Sequence, residues 1–180
     1  MEFDIGQTAP HFHLTNAHPN VGTQEMSLDD VMGDNGAIIV FSCLHCPYVV
    51  GSVARIEALA KRAMGYGIGF VAINSNAGNS NYSSDSEERT REACEKGVGY
   101  PFLIDGEQKV AAEWGAERTP EFFLIDNEKV LMYKGRYDDS PKNPMGARTS
   151  EMDDALDQYI NGEKINVTYT DSIGCSIKWI

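Results

Sequence analysis

The chain has 180 residues, with 15 Lys and Arg against 27 Asp and Glu, a formal net charge of −12. That balance excludes a nucleic-acid or anionic-membrane surface, which needs clustered Lys and Arg. Hydrophobic content of 42 % and charged content of 23 % suit one globular domain with a sizeable core.

Residues 1–36 read as irregular, with Pro10, Pro19 and Gly22, a short apolar stretch Phe12-His13-Leu14, and a helical turn over 27–31 capped by Ser27. The N-terminus has no basic region followed by an apolar stretch, so no secretory signal is expected. No apolar run approaches a membrane span, and a cytoplasmic location is expected. The core opens with an apolar strand over 37–41. A helix over 47–64 follows, with Val49, Val53, Ile56, Ala60 and Ala63 on one face.

A second strand is predicted over 68–74, then a polar loop over 75–84. A charged helix over 87–96 starts at Asp85 or Ser86 and ends at Gly97 and Gly99. A strand over 100–104, a helix over 108–114, and a hairpin of 121–126 with 129–135 across Asn127-Glu128 come next. A helix over 148–160 is closed by Gly162. Strands alternating with helices imply right-handed parallel crossovers, and the closing hairpin makes the sheet mixed. The fold class is α/β, with one domain over 1–162. A polar tail over 163–180 ends in Ile173-Gly174-Cys175-Ser176-Ile177-Lys178-Trp179-Ile180. Such an apolar end is expected to pack back on the domain or to form an oligomer contact.

Two thiols three residues apart, Cys43 and Cys46, sit in the turn from first core strand to helix. Pro47 suits the first helical position and makes Cys46 the N-cap, where the amides and dipole favour a negative charge. A thiol of ordinary pKa ~8.5 can fall there to about 3.5–7.5, so that the thiolate dominates. Four cysteines in a cytoplasmic chain fit transient, catalytic pairing better than a disulfide scaffold. C-x-x-C is also half of a zinc site, which here would need Cys175, His45 or another residue to complete it. No second C-x-x-C pair exists, and no metal or cofactor is expected.

His45 adjoins Cys46, where as a cation it would lower the thiol pKa and as a base take its proton, or it is a solvent-facing turn residue. Tyr48 reads as a packed aromatic and Cys94 as structural. Cys175 is either a resolving thiol brought in by the tail, with Trp179 and Ile180 as anchors, or a buried apolar cysteine. The glycines of Gly65-Tyr66-Gly67-Ile68-Gly69 precede a strand, whereas a phosphate loop follows one. Gly135-Arg136-Tyr137-Asp138-Asp139 reads as a turn shaped by a charge pair.

The element order, the thiols after the first core strand, and Thr119-Pro120 before the hairpin resemble the thioredoxin fold. Ile5-Gly6-Gln7-Thr8-Ala9-Pro10-His11-Phe12 resembles the entry of its redoxin branch. That branch holds the alkyl hydroperoxide reductase and thiol-specific antioxidant proteins and several thiol–disulfide oxidoreductases. Cys-Leu-His-Cys-Pro-Tyr with the terminal Gly-Cys-Ser-Ile-Lys-Trp is similar to a group of bacterial thioredoxin-like proteins.

The resemblance implies a cis Pro120 that, with Thr119, lies against the reactive sulfur and holds an extended substrate backbone. It puts the nucleophile at Cys46. The usual resolving position falls on Val49, which has no thiol, so Cys43 is the implied resolving thiol. Where the peroxidases carry Thr or Ser this chain has Cys43, and where they carry an arginine it has Pro120, with Arg118 nearby. The implied activity is thiol–disulfide exchange through Cys43-Leu44-His45-Cys46. The alternatives are a thiol peroxidase acting through Cys46 and a metal-binding or redox-inactive interaction module. The implied partners are a protein or small-molecule disulfide, or a hydroperoxide, and a thiol reductant.

Overall fold

Ala37, Ile38, Ile39, Val40 and Phe41 are all fully buried, because this strand has a neighbour on each side and a layer on each face. The computed structural model describes residues 3–180; Met1 and Glu2, at the start of the predicted domain, lie outside them. In chain order the strands and helices are β1 (His13–Asn16), β2 (Glu25–Ser27), α1 (Leu28–Val31), β3 (Ala37–Phe41), α2 (Pro47–Val50), α3 (Val53–Gly65) and β4 (Gly69–Asn74). There follow α4 (Glu87–Glu95), β5 (Phe102–Ile104), α5 (Lys109–Trp114), β6 (Arg118–Thr119), β7 (Glu121–Ile125), β8 (Leu131–Gly135), α6 (Glu151–Ile160) and β9 (Cys175–Ser176).

Seven strands form one mixed sheet in the order β2-β1-β5-β4-β3-β7-β8. β3 runs parallel to β4 and β4 parallel to β5, while β7 pairs antiparallel with both β3 and β8. The period of two along β3 divides the core. Ile39 and Phe41 face Phe3, Phe12, Trp114 of α5 and Phe123. Ile38 and Val40 face Ile56, Leu59, Ala60 and Ala63 of α3, Phe122, and Met152, Ala155 and Leu156 of α6. Helices therefore cover both faces of a thioredoxin-like sheet.

The structure departs from the predicted elements where tertiary contacts act. Residues 1–36 are not irregular throughout: β1 and β2 extend the sheet beyond β5. These strands are too short to show a period. Asn16 ties them in, its Oδ1 accepting from His18 N (3.0 Å) and Phe102 N (3.2 Å), its Nδ2 donating to Val21 O (2.8 Å) and Thr23 O (2.9 Å). The helix predicted over 47–64 is broken at Gly51-Ser52. A Cβ on Gly51 would lie 2.7 Å from the carbonyl oxygens of Pro141 and Lys142, so a loop occupies that face. Ser52 Oγ donates to Tyr48 O (2.7 Å) and Pro141 O (2.9 Å). The break turns Val53 outward, leaving it exposed rather than on the buried face.

The final helix begins at Glu151 rather than at residue 148. Within the segment after β8, the charges pair outward and not with one another. Arg136 Nε donates to Glu151 Oε1 of α6 (3.1 Å), and Asp138 pairs with Arg55 of α3.

The tail runs along the outer edge of β8, where Lys134 N donates to Thr168 O (2.9 Å) and Thr170 N to Lys134 O (3.1 Å). It then crosses to β6, and β9 pairs antiparallel with it, Arg118 opposite Ser176 and Thr119 opposite Cys175. Trp179 and Ile180 are not the anchors; both are exposed. Ile177 is buried in the aromatic half of the core. Backbone bonds hold the rest: Lys178 N donates to Asn76 Oδ1 (2.9 Å), Gln108 Nε2 to Lys178 O (2.8 Å), and Ile180 N to Gln108 Oε1 (2.9 Å).

Candidate active site

The chain leaves β3 at Phe41 and turns through Ser42–His45 before Pro47 opens α2, with Cys46 as its N-cap. Cys46 is fully buried and Cys43 nearly so. With Val49 they form a small cluster against which Tyr48 and Cys175 pack. The Thr119–Pro120 bond is cis. It places Thr119 against both sulfurs, its Oγ1 3.4 Å from Cys43 Sγ and its carbonyl oxygen 3.4 Å from Cys46 Sγ, positioned to accept from a neutral Cys46 thiol.

The two thiols are driven apart in acidity. The hydrogen bond from the Cys43 thiol is the main cause that brings Cys46 down to about 4, with smaller help from Cys175 and the Val49 amide; burial opposes them. Cys43 moves the other way, pushed up first by the same bond to Cys46 and then by burial. Cys175 is raised by burial and by the Cys46 side chain beside it. The sequence argument credited the helix start; α2 is a single turn, and the neighbouring thiol does more. Polar groups of opposite protonation preference in one dry site are a recurring mark of reactive centres.

His45 turns away from the role foreseen for it at Cys46. Its Nδ1 lies 2.5 Å from Asp85 Oδ2. Asp85 is fully buried, and its carboxylate also accepts from Leu44 N (2.9 Å), His45 N (3.3 Å) and Asn76 Nδ2 (2.9 Å). Sequence reasoning treated Asp85 only as a possible helix start. No local signal marks a carboxylate that meets a turn 40 residues earlier in the chain. Donor atoms of Cys43, His45 and Asp85 lie within 4.8 Å of one another. A carboxylate has about four lone-pair sites, and hydrogen bonds already fill those of Asp85, so the group reads as a bonded network and not as a ligand set.

The other singled-out residues sort by position. Arg118 is not aimed at the thiols; its Nη1 donates to Gly174 O (3.0 Å). Tyr48 is half-buried beside the thiols, with the Lys142 ammonium 4.5 Å from its ring centre. Cys94 sits in the α3–α6 half of the core, its thiol raised to about 12 by burial, outside the site. Thr119, foreseen with Pro120 as the place that holds a substrate backbone, has its strand edge taken by the chain's own β9.

That docking makes a test available. A Cβ on Gly174 would stand 2.1 Å from Thr119 O, a backbone clash that only displacement of the tail relieves. Releasing Ile177 forfeits about 1.5–3 kcal/mol, so Gly174→Val is expected to raise the alkylation rate of Cys46 by iodoacetamide about ten- to a hundred-fold. Mass spectrometry of the modified peptide reads it, and an unchanged rate would mean that β9 does not limit access.

A thioredoxin-like sheet carrying two thiols of divergent acidity beside a cis-proline defines a class of thiol-based redox proteins. The chain belongs to the Redoxin family, whose pattern it matches over residues 4–156. Among solved structures it is similar to an uncharacterized conserved protein from Geobacillus kaustophilus, at 36 % identity and TM-score 0.89, covering 99 % of this chain and 93 % of that one. It is also similar to a hypothetical protein from Sinorhizobium meliloti 1021, at 32 % identity and TM-score 0.87, covering 100 % of this chain and 97 % of that one. A peroxidoxin from Mycobacterium tuberculosis shares 18 % identity at TM-score 0.56 over 89 % of this chain and 96 % of its own, a likeness of fold alone. No curated protein matches. The family supports thiol-based redox activity, by disulfide exchange or peroxide reduction. Among the described residues no helix is long and apolar enough to cross a membrane.

Proposed function

We propose that the chain is a thiol–disulfide oxidoreductase in which Cys46 attacks and Cys43 resolves. The observation that carries this is the gathering of both sulfurs on Thr119, Cys43 Sγ 3.4 Å from its Oγ1 and Cys46 Sγ 3.4 Å from its carbonyl oxygen, with the Cys46 thiol lowered to about 4 and that of Cys43 raised. The Cys46 thiolate attacks a substrate disulfide, whose S–S bond breaks; one half leaves as a thiolate and is protonated, the other stays as a mixed disulfide. Cys43 then loses its proton and attacks Cys46 Sγ. The second half leaves as a thiol, and a Cys43–Cys46 disulfide remains for an external thiol to reduce. Thr119, which precedes the cis Pro120, lines the reacting sulfurs. A polypeptide substrate must first displace β9 from Thr119, whereas a small disulfide needs only room beside it.

A second reading has its own observation. Cys175 lies opposite Thr119 and its side chain reaches Cys46, the place a partner cysteine would take. A hydroperoxide would convert the Cys46 thiolate to a sulfenic acid with loss of an alkoxide or hydroxide. Cys175 would then condense with it, releasing water and forming a Cys46–Cys175 disulfide.

Reduced protein oxidised separately with an aliphatic disulfide and with a hydroperoxide distinguishes the two by disulfide mapping. The expected product of the first oxidant is Cys43–Cys46, and Cys43→Ser is expected to accumulate the mixed disulfide. Preferential reaction with hydroperoxide and a Cys46–Cys175 product would favour the second reading. Thiols that survive both oxidants would overturn both.

A further inference from the structure

A strand edge offers unpaired N–H and C=O groups to any extended chain laid along it. At Thr119, beside both sulfurs, that edge is filled from within: Thr119 faces Cys175 and Arg118 faces Ser176. The tail is fitted to this place on both sides of the short strand. Before it, Arg118 Nη1 donates to Gly174 O (3.0 Å), and the lack of a side chain at Gly174 lets its backbone pass Thr119 O. After it, Ile177 N donates to Glu117 O (2.9 Å) and the Ile177 side chain is buried. Asn79 Nδ2 and Gln108 Nε2 then both donate to Lys178 O (3.0 and 2.8 Å).

We propose that the substrate of this site is a low-molecular-weight disulfide, and that β9 is the specificity element that keeps polypeptides out. This rests on the reading of Cys46 as the attacking thiol of a disulfide exchange. A polypeptide that approaches the sulfurs by adding a strand at Thr119 competes there with a segment tethered to the same molecule, whose effective concentration no dilution lowers. It must also release Ile177 from the core. A small disulfide makes no ladder and needs only a place for two short halves. Such a place adjoins β9: a cavity of about 430 Å³ whose lining includes Tyr48, Arg118, Glu121, Asp171, Ser172 and Gly174. That volume lies within the roughly 300–1,000 Å³ of small-molecule sites. Tyr48 is the wall shared with the thiols, since it also packs against the cluster of Cys43, Cys46 and Val49. Ile173 and Gly174 line the cavity as well, so the tail that closes the edge to a polypeptide also shapes the pocket.

In the step, the Cys46 thiolate bonds to one sulfur of the small disulfide. The S–S bond breaks, and the first half leaves as a thiolate that takes a proton from water. Cys43 then bonds to Cys46 Sγ, and the second half leaves as a thiol with the proton that Cys43 gives up. One small disulfide is reduced to two thiols, and the Cys43–Cys46 pair is oxidised.

The test uses the full reduced chain and two uncharged probes with the same reacting bond. One is the mixed disulfide of N-acetylcysteine amide with 2-mercaptoethanol. The other carries that group in the middle of a peptide long enough to span the Arg118–Thr119 edge. Loss of the Cys46 thiol is followed by acid quench and mass spectrometry, and each rate is divided by that of the same probe with dithiothreitol, so that intrinsic reactivity cancels. The parent is expected to favour the small probe by about ten- to a hundred-fold, the scale set by releasing one large buried side chain. Gly174→Val, which lifts β9, is expected to raise both rates and bring them within about threefold of each other. Ile177→Ala loosens the anchor without a clash and should narrow the preference in the same direction, so the test stands even where Gly174→Val fails to fold.

A parent that takes the peptide as fast as the small probe, or a preference unchanged in both variants, would overturn the role of β9. A Cys46 thiol that survives both probes while iodoacetamide still alkylates it would instead overturn disulfide exchange itself.

Discussion

Cys46→Ser is expected to abolish disulfide exchange, with a loss of roughly 10³-fold or more, because a hydroxyl replaces the one sulfur held as a thiolate. The same variant should retain its fold, since serine is nearly isosteric at the helix N-cap, and circular dichroism checks that. The pH profile of the native site carries the sign. The Cys46 thiol drops from the ordinary thiol range to about 4, so the reactive anion exists above about 4. Alkylation of Cys46 is therefore expected to be flat across the neutral range and to fall by half near pH 4. An inflection at the ordinary thiol value would remove the basis of the assignment.

Linkage follows the same direction. A thiol depressed in the folded state contributes stability that is fully present above its unfolded value and is lost as pH falls through about 4. Cys43→Ala removes the largest cause of the depression, and the inflection should move upward.

Trp114→Ala should cost about 3–5 kcal/mol, the range for deleting a buried aromatic side chain. Trp114 is fully buried, its ring edge-on to Phe3 at 5.1 Å and to Phe123 at 5.4 Å, with Phe12 and Phe41 completing the cluster. Its Nε1 also donates to Pro10 O (3.2 Å), a carbonyl that the substitution leaves without that partner. A domain of this size loses about 2–4 °C of Tm per kcal/mol, so a fall of about 6–20 °C is expected by thermal unfolding. A fall below about 2 °C would mean that the surrounding rings close over the vacated space.

The two cases differ in how visible they were in one dimension. Cys43 and Cys46 stand beside a proline between a strand and a helix, and the local code is enough: apolar run, thiols, Pro at the first helical position, helical period. The strand–helix alternation and the closing hairpin likewise carried the mixed sheet. Trp114 was read only as the end of a short helix, and its role as the hub of one core layer came from rings contributed by the N-terminal segment, β3 and β7. β1 and β2 were not legible, since strands of four and three residues have too few positions to show a period and take their register from neighbours.

By itself the sequence determined the redox class, the mixed α/β sheet and the turn that bears the thiols, because each is written in contiguous residues whose chemistry acts over a few positions. Only the tertiary structure decided which groups surround those thiols. Asp85 reaches His45 across 40 residues, Cys175 comes to Cys46 through pairing of β9 with β6, and Gly51 admits a loop that breaks the predicted helix. None of these has a local preference to announce it. Each is a contact between distant segments, set by what the packed sheet leaves within a few ångströms, and one of them, the approach of Cys175, adds to the acidity of Cys46.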